Sequence, residues 1–283
     1  MKPDIKISAL STNDWKKLNP HRRFHFDVDI LGACNLTCPS CPVGNSSNVT
    51  TPTGHMSPEL LDKIVKKATS ECEVTNFSLY NWTEPLLHPK LPEMIRVVRS
   101  YGLPCVLSAN LNLIKNINAV IEANPSSLRI TVSGFTQEKY GWTHRRGDIE
   151  VVKKNMAEVA NAKERTGATT QISVGFIRYL GNHEDELRMR EYAKSLAFEF
   201  DPIWGYLMPL EEVLAYAEPN SIDVELTPDD HELISRLAMP LDQSIEVVKE
   251  VQRKAVPSSG SPNGSYLQGR GDAVLYRLRS KQI

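Results

Sequence analysis

From residue 24 the chain alternates short apolar runs with stretches in which apolar residues return every three or four positions. Alternation of period two fits a half-buried strand, and recurrence at i, i+3, i+4 and i+7 fits a helix with one buried face. The order therefore predicts repeated βα units on a parallel sheet. The first strand is expected from Phe24 to Ile30. Ser57-Pro58-Glu59 then reads as an N-cap with proline at the first helical position, followed by Leu60, Leu61, Ile64, Val65 and Ala68 on one stripe. A second strand from Thr75 to Tyr80 leads to a helix begun by Pro92 and stopped at Gly102. A third strand, Pro104 to Ser108, precedes a helix expected from about Asn112 to Ala123.

The fourth strand is Leu128 to Ser133, and Asp148 caps a helix carrying Ile149, Val152, Met156 and Val159 on one face. Gln171 to Ile177, a helix from Glu184 to Ala197, and Phe198 to Trp204 complete six units. Right-handed crossovers would place every helix outside the sheet, which makes the expected fold α/β: a curved partial (βα)6 barrel, with an open sheet as the alternative. Beyond Tyr206 the pattern weakens to helical stretches near Thr227–Leu237 and Pro240–Ala255, a Pro/Ser/Gly loop, and a strand-like Ala273–Leu278. The expected organisation is an N-terminal extension (1–23), a core barrel (24–205) and a short C-terminal extension (206–283).

Composition narrows this little. At 283 residues, 41% hydrophobic and 24% charged, the chain fits an ordinary globular protein. A formal charge of −1 gives no signal for nucleic acid or an anionic membrane, and no apolar run reaches spanning length. The N-terminal stretch is charged and lacks a signal-type apolar segment, so a reducing cytoplasm is the expected compartment for the five cysteines.

Three of those cysteines change the picture. Cys34, Cys38 and Cys41 form C-x3-C-x2-C directly after the first strand, on the edge of a parallel sheet that carries chemistry. Thiolates are the usual ligands of iron–sulfur clusters, and three of them can hold three irons of a [4Fe–4S] cluster while one iron stays open. A structural zinc site would want a fourth Cys or His at paired spacing. None follows, since Cys72 and Cys105 are isolated and expected to be buried thiols. An electron-transfer or sensing protein that binds a cluster without further turnover is the competing reading.

The triplet, its place after a first strand and the six βα units resemble the radical S-adenosylmethionine (SAM) superfamily. The resemblance covers about residues 24–205 and implies one [4Fe–4S] cluster on Cys34, Cys38 and Cys41, with SAM as second cofactor. Asn81-Trp82-Thr83-Glu84-Pro85 resembles the G-G-E-P motif that holds the SAM amino group, with the glycines replaced and Glu84-Pro85 kept. Ser108 and Asn110 stand where relatives contact the ribose. Ser133 resembles a ribose-binding Ser of peptide- and small-molecule-modifying branches. Those branches also use an Arg on the SAM carboxylate; Arg146 is the expected contact here and Arg145 its alternative. Ser40 occupies the place of an aromatic that packs beside the adenine in many relatives. A zwitterionic cofactor needs such a set: an acceptor for ammonium, a cationic fork for carboxylate and hydroxyl partners for ribose.

The resemblance further implies an oxidoreductase-type enzyme that cleaves SAM to a 5′-deoxyadenosyl radical, which abstracts hydrogen from a peptide or small metabolite. The electron would come from a one-electron reductant such as flavodoxin or ferredoxin. The core resembles branches that usually append a cysteine-rich SPASM or twitch module with auxiliary clusters. No cysteine follows Cys105, so the C-terminal region is expected to be at most a degenerate version of it.

Overall fold

The computed structural model describes residues 23–38, 41–45, 54–179 and 181–205. The N-terminal extension up to residue 22, Ser40 and everything beyond residue 205, including the helices and strand expected there, lie outside the described residues, whereas Arg23 already belongs to the first strand. Six strands, β1 (Arg23–Asp27), β2 (Glu73–Ser78), β3 (Cys105–Ala109), β4 (Ser127–Val132), β5 (Gln171–Arg178) and β6 (Glu199–Trp204), form one sheet in chain order. Every neighbouring pair is parallel. The helices are α1 (Pro42–Asn45), α2 (Pro58–Glu71), α3 (Leu91–Ser100), α4 (Ile117–Glu122), α5 (Gln137–Thr143), α6 (Ile149–Thr166) and α7 (His183–Ser195). This is the α/β partial (βα)6 barrel that the periodicity predicts.

The two faces of the sheet differ, and that difference places the site. In β3 and β4, Cys105, Leu107, Ala109, Leu128, Ile130 and Val132 are buried in the apolar core shared with the helices. The residues between them, Val106, Ser108, Arg129 and Thr131, are only partly buried. A parallel sheet covered by apolar packing on both faces would read apolar at every position. Here the inner face is polar: Ser108 and Thr131 share a hydrogen bond of 3.1 Å, and Arg129 reaches Asp201 at 2.9 Å. Gly175 makes room for that reach, because a Cβ there would collide with the Arg129 guanidinium.

The caps form as expected. Ser57 accepts from the Leu60 N–H, and the Asp148 carboxylate accepts from Glu150 and Val151. Gly102 and Gly167 sit at positive φ just past helix ends, where an L side chain would be strained. Three expectations need correction. Leu60 is exposed, because Pro58 takes the buried place in the first turn of α2 beside Leu61, Val65 and Ala68. The helix after β3 starts only at Ile117: Asn110 and Asn112 bond each other and distant loops, and Leu111 takes φ 57, so the chain stays non-helical there. Helix α5, unforeseen from the sequence, buries Tyr140 and Thr143 beneath the loop after β4.

Candidate active site

The cysteine loop is tied down before its first thiol. Beyond β1, Val28 donates to the Ser78 carbonyl at 2.8 Å and Met56 donates to that of Ile30 at 2.8 Å. Ile30, Leu31 and Leu36 are buried, so the loop is pinned by apolar anchors on both sides of Cys34. Helix α1 then presses back on it. A Cβ at Gly44 would stand 2.5 Å from the Cys38 nitrogen and 2.6 Å from its oxygen, so only glycine permits this approach.

The thiols are gathered at the C-terminal edge of the sheet. Burial pushes Cys34 up to about 11, with the charges of Glu84 and Cys41 acting in the same direction. Burial pushes Cys38 up to about 12, and Cys34 and Cys41 add to the rise while Arg145 opposes it. The charge of Cys41 thus acts on both Cys34 and Cys38. Donors also reach the sulfurs: the Leu36 N–H lies 3.5 Å and Asn110 Nδ2 3.8 Å from Cys34 Sγ. Cys41 Sγ lies 3.7 Å from the Trp82 carbonyl. Cys105 and Cys72 sit at the opposite edge, one opening β3 and the other just before β2; Cys105 is buried as expected, whereas Cys72, at the end of α2, is only partly buried.

Two further loops close on this one. The Glu84 N–H donates to the Ala33 carbonyl at 3.1 Å, which joins the loop after β2 to the cysteine loop. The Glu84 carboxylate is buried and divided between two backbone donors, Leu86 at 3.0 Å and Asn110 at 2.7 Å. Burial raises it to about 7, against the pull of those two N–H groups. Asn110 in turn gives Nδ2 to Asn35 at 2.9 Å, so the ends of β2 and β3 and the cysteine loop form one hydrogen-bonded unit.

The other expected contacts are placed less uniformly. Asn81, Trp82 and Thr83 lie in this unit through their backbone, all three bound to Asp29. Ser108 faces the polar interior, bonded to Thr131. Ser133 is fully buried, with its hydroxyl bonded to His144 Nδ1 at 2.9 Å and to Thr143. Burial holds His144 down at about 4, and its ring stacks on Tyr140 at 4.6 Å. Arg145 and Arg146 are both exposed; the backbone of Arg145 accepts the Thr37 N–H at 3.2 Å, and its charge opposes the rise at Cys38.

Sequence reasoning missed Asp29 and Asp185. Asp29 accepts from three successive N–H groups more than fifty positions away, and Asp185 on α7 accepts from Phe135 and Thr136 at 2.8 and 2.7 Å. Asn112 escaped notice too, although it joins Tyr140, Asp148 and Asn110. The one available signal was a carboxylate just past a strand end beside a predicted site.

The donor set fits a cubane cluster. It offers three soft sulfur ligands, and among the described residues no group of three or more His, Cys, Asp or Glu side chains forms a site for a metal ion. A cubane places each thiolate on its own iron, so its ligand sulfurs need not converge on one point as they do around zinc.

Comparison with known proteins agrees. GTP 3',8-cyclase of Chlorobaculum tepidum is 24% identical over 155 residues, 52% of this chain and 42% of that protein. The structure of Streptococcus suis SuiB bound to S-adenosylmethionine superposes with a TM-score of 0.54 at 11% identity, covering 90% of this chain and 55% of SuiB. SuiB bound to its precursor peptide SuiA gives a TM-score of 0.54 at 10% identity, covering 86% of this chain and 50% of SuiB. The chain thus spans only about half the length of the proteins it matches. Residues 28–189, more than half of the 283, match the family model of the Radical SAM superfamily. The chain belongs to that superfamily, enzymes whose cofactors are a [4Fe–4S] cluster and SAM.

Proposed function

We propose that Cys34, Cys38 and Cys41 each hold one iron of a single [4Fe–4S] cluster and that SAM binds its open iron against the loops after β2 and β3. The observation that carries this is that the loops after β2 and β3 meet the cysteine loop at one edge of the sheet: the Trp82 carbonyl lies 3.7 Å from Cys41 Sγ, Asn110 Nδ2 lies 3.8 Å from Cys34 Sγ, and the Glu84 N–H bonds the Ala33 carbonyl. When bound, the cluster and SAM would supply one-electron reductive cleavage of SAM and, through it, hydrogen abstraction from substrate.

The chain's own residues bind, orient and shield. The Trp82 carbonyl, which faces Cys41, is the acceptor for the SAM ammonium, and the buried Glu84 carboxyl, spent on the Leu86 and Asn110 N–H groups, fixes the loop beside it. Arg145 supplies a cation beside Cys38 for the SAM carboxylate. Asn110 donates to Cys34, and hydrogen bonds to cluster sulfurs raise the reduction potential by stabilising the more negative state. The substrate is a peptide or small metabolite with many hydrogen-bonding groups. The polar inner face, with Ser108, Thr131 and the Arg129–Asp201 pair, would leave an apolar substrate facing unsatisfied donors and acceptors. SuiB, whose fold is shared, binds a precursor peptide.

The test is reconstitution with iron and sulfide under anaerobic conditions. The wild type is expected to bind about four irons and form 5′-deoxyadenosine on reduction, the count of one cubane. Replacing Cys34, Cys38 or Cys41 with Ala should abolish the cluster's charge-transfer absorbance, and replacing Cys72 or Cys105 should leave it. Loss of the cluster in a Cys72 or Cys105 variant, or close to eight irons in the wild type, would sink the assignment.

A further inference from the structure

Asp29 stands two residues beyond the last residue of β1. Its Oδ1 accepts the N–H groups of Asn81, Trp82 and Thr83 at 2.9, 3.0 and 3.0 Å and the Thr83 hydroxyl at 2.7 Å. Its Oδ2 accepts from Trp82 again at 3.2 Å. Three successive N–H groups turned toward one anion make a concave nest, and such a loop has no regular ladder to fix its shape. Its conformation therefore depends on the carboxylate that fills it. Oδ1 takes all four donors and Oδ2 shares the Trp82 N–H; an amide in this place would turn its NH2 toward that N–H.

The nest also decides where the loop's carbonyls go. When consecutive N–H groups face one side, the peptide oxygens point away from it. The Trp82 oxygen shows which way that is, because it stands 3.7 Å from Cys41 Sγ. When Cys41 carries iron as a thiolate, that thiol proton is gone, and a carbonyl oxygen beside a sulfur anion is best satisfied by a cationic donor. An ammonium held there would lie between the loop and the cluster.

We infer that Asp29 is a positioning residue for SAM: its carboxylate folds residues 81–83 so that the loop's carbonyls form the acceptor for the cofactor's ammonium. The role rests on the cluster and SAM assignment above. It differs from a role in holding the cysteines, because Asp29 bonds none of the loop from Cys34 to Cys41 among its recorded partners. It differs from a bystander role because every one of those partners belongs to residues 81–83.

The experiment compares reconstituted wild type, Asp29→Asn and Asp29→Ala. Iron and sulfide content and absorbance read the cluster; titration with SAM reads affinity; the SAM-induced change in the electron paramagnetic resonance spectrum of the reduced cluster reads geometry. Asp29→Ala should keep a full cluster, bind SAM about tenfold or more weakly and show an altered resonance at saturating SAM, the loss of one charge-assisted contact being of that size. Asp29→Asn, which keeps one acceptor oxygen, should fall between it and wild type. Wild-type affinity in Asp29→Ala overturns the inference, as does a loss of cluster in proportion to the loss of SAM binding. Should Asp29→Ala fail to fold, Thr83→Val removes one donor from the same carboxylate, with a smaller rise in the dissociation constant expected and an unchanged one counting against the role. Failure of the underlying assignment is separate: the wild type itself would then lack the cluster or fail to bind SAM.

Discussion

The loop after β2 and the loop after β4 are each held by a carboxylate from another element. Asp29 takes the N–H groups of residues 81–83, and Asp185 takes those of Phe135 and Thr136 together with the Thr136 hydroxyl. From there they diverge. The first loop keeps a carbonyl aimed at Cys41 and a backbone bond to the cysteine loop. The second closes on itself: Ser133 bonds His144 and Thr143, and Asn182 takes the Ser133 carbonyl at 2.8 Å. A strand end offers a site when its polar groups are organised yet unspent, and a brace when they are organised and consumed. Serine at the end of β4 looks, in the sequence, as available as Asn110 at the end of β3. The partners decide otherwise.

The largest test of this contrast is Asp185→Ala. It removes the acceptor of two partly buried N–H groups and a hydroxyl, each costing up to about 1–3 kcal/mol when stranded. Since such losses do not simply add, a destabilisation of about 3 kcal/mol or more is expected in urea unfolding. SAM affinity measured on the fraction that stays folded should be close to wild type, the opposite of the pattern expected at Asp29. A SAM defect as large as that of the Asp29 variants would erase the distinction between the two loops.

The buried ring behind the second loop gives a pH signature. His144 sits at about 4 in the folded protein because burial disfavours its charged form, against an ordinary value near 6.5. Between these values the unfolded chain binds a proton that the folded one does not, so stability rises with pH across the window. The contribution is fully present above 6.5 and is lost as pH falls toward 4. The shift corresponds to about 3 kcal/mol at most. Unfolding midpoints at pH 7 and pH 5 should therefore differ more in wild type than in His144→Asn, which keeps a neutral acceptor for Ser133. Equal slopes in the two proteins would show that the ring is not held neutral by the packing around it.

What the sequence made legible follows from how local each signal is. Strand alternation, helix stripes, Asp148 as a cap and the spacing of Cys34, Cys38 and Cys41 are set within a few residues; the six strands and the Asp148 cap form close to where the pattern puts them, with Leu60 the departure from its stripe. Asp29 and Asp185 act on backbone groups roughly fifty positions away, with no periodicity to mark them. Helix α5 lacked a signal because its seven residues include Gly141 and bury only Tyr140 and Thr143. The delayed start of α4 was hidden for a related reason: Asn110 and Asn112 favour side-chain bonds over helical ones, and their partners Glu84, Tyr140 and Asp148 are distant in sequence.

The smallest expected effect concerns the turn that delivers Arg145. The Gly147 N–H donates to the His144 carbonyl at 2.9 Å, and Arg146, third in this four-residue turn, takes φ 70. A type II turn demands positive φ at that position and turns the preceding peptide outward. Here that peptide's oxygen, on Arg145, meets the Thr37 N–H of the cysteine loop. The strained residue therefore serves the position of its neighbour, and its own side chain is exposed. A left-handed conformation costs a non-glycine residue about 1–2 kcal/mol, part of which glycine returns through its freer unfolded chain. Arg146→Gly should consequently raise stability by about 0.5–1 kcal/mol, leave the cluster intact and change SAM affinity less than Arg145→Met does. Thermal unfolding and SAM titration read the two outcomes separately. If Arg146→Gly instead weakens SAM about tenfold, the loss of a charged contact, then the exposed guanidinium folds over the cofactor, and the carboxylate clamp belongs to Arg146 rather than to Arg145.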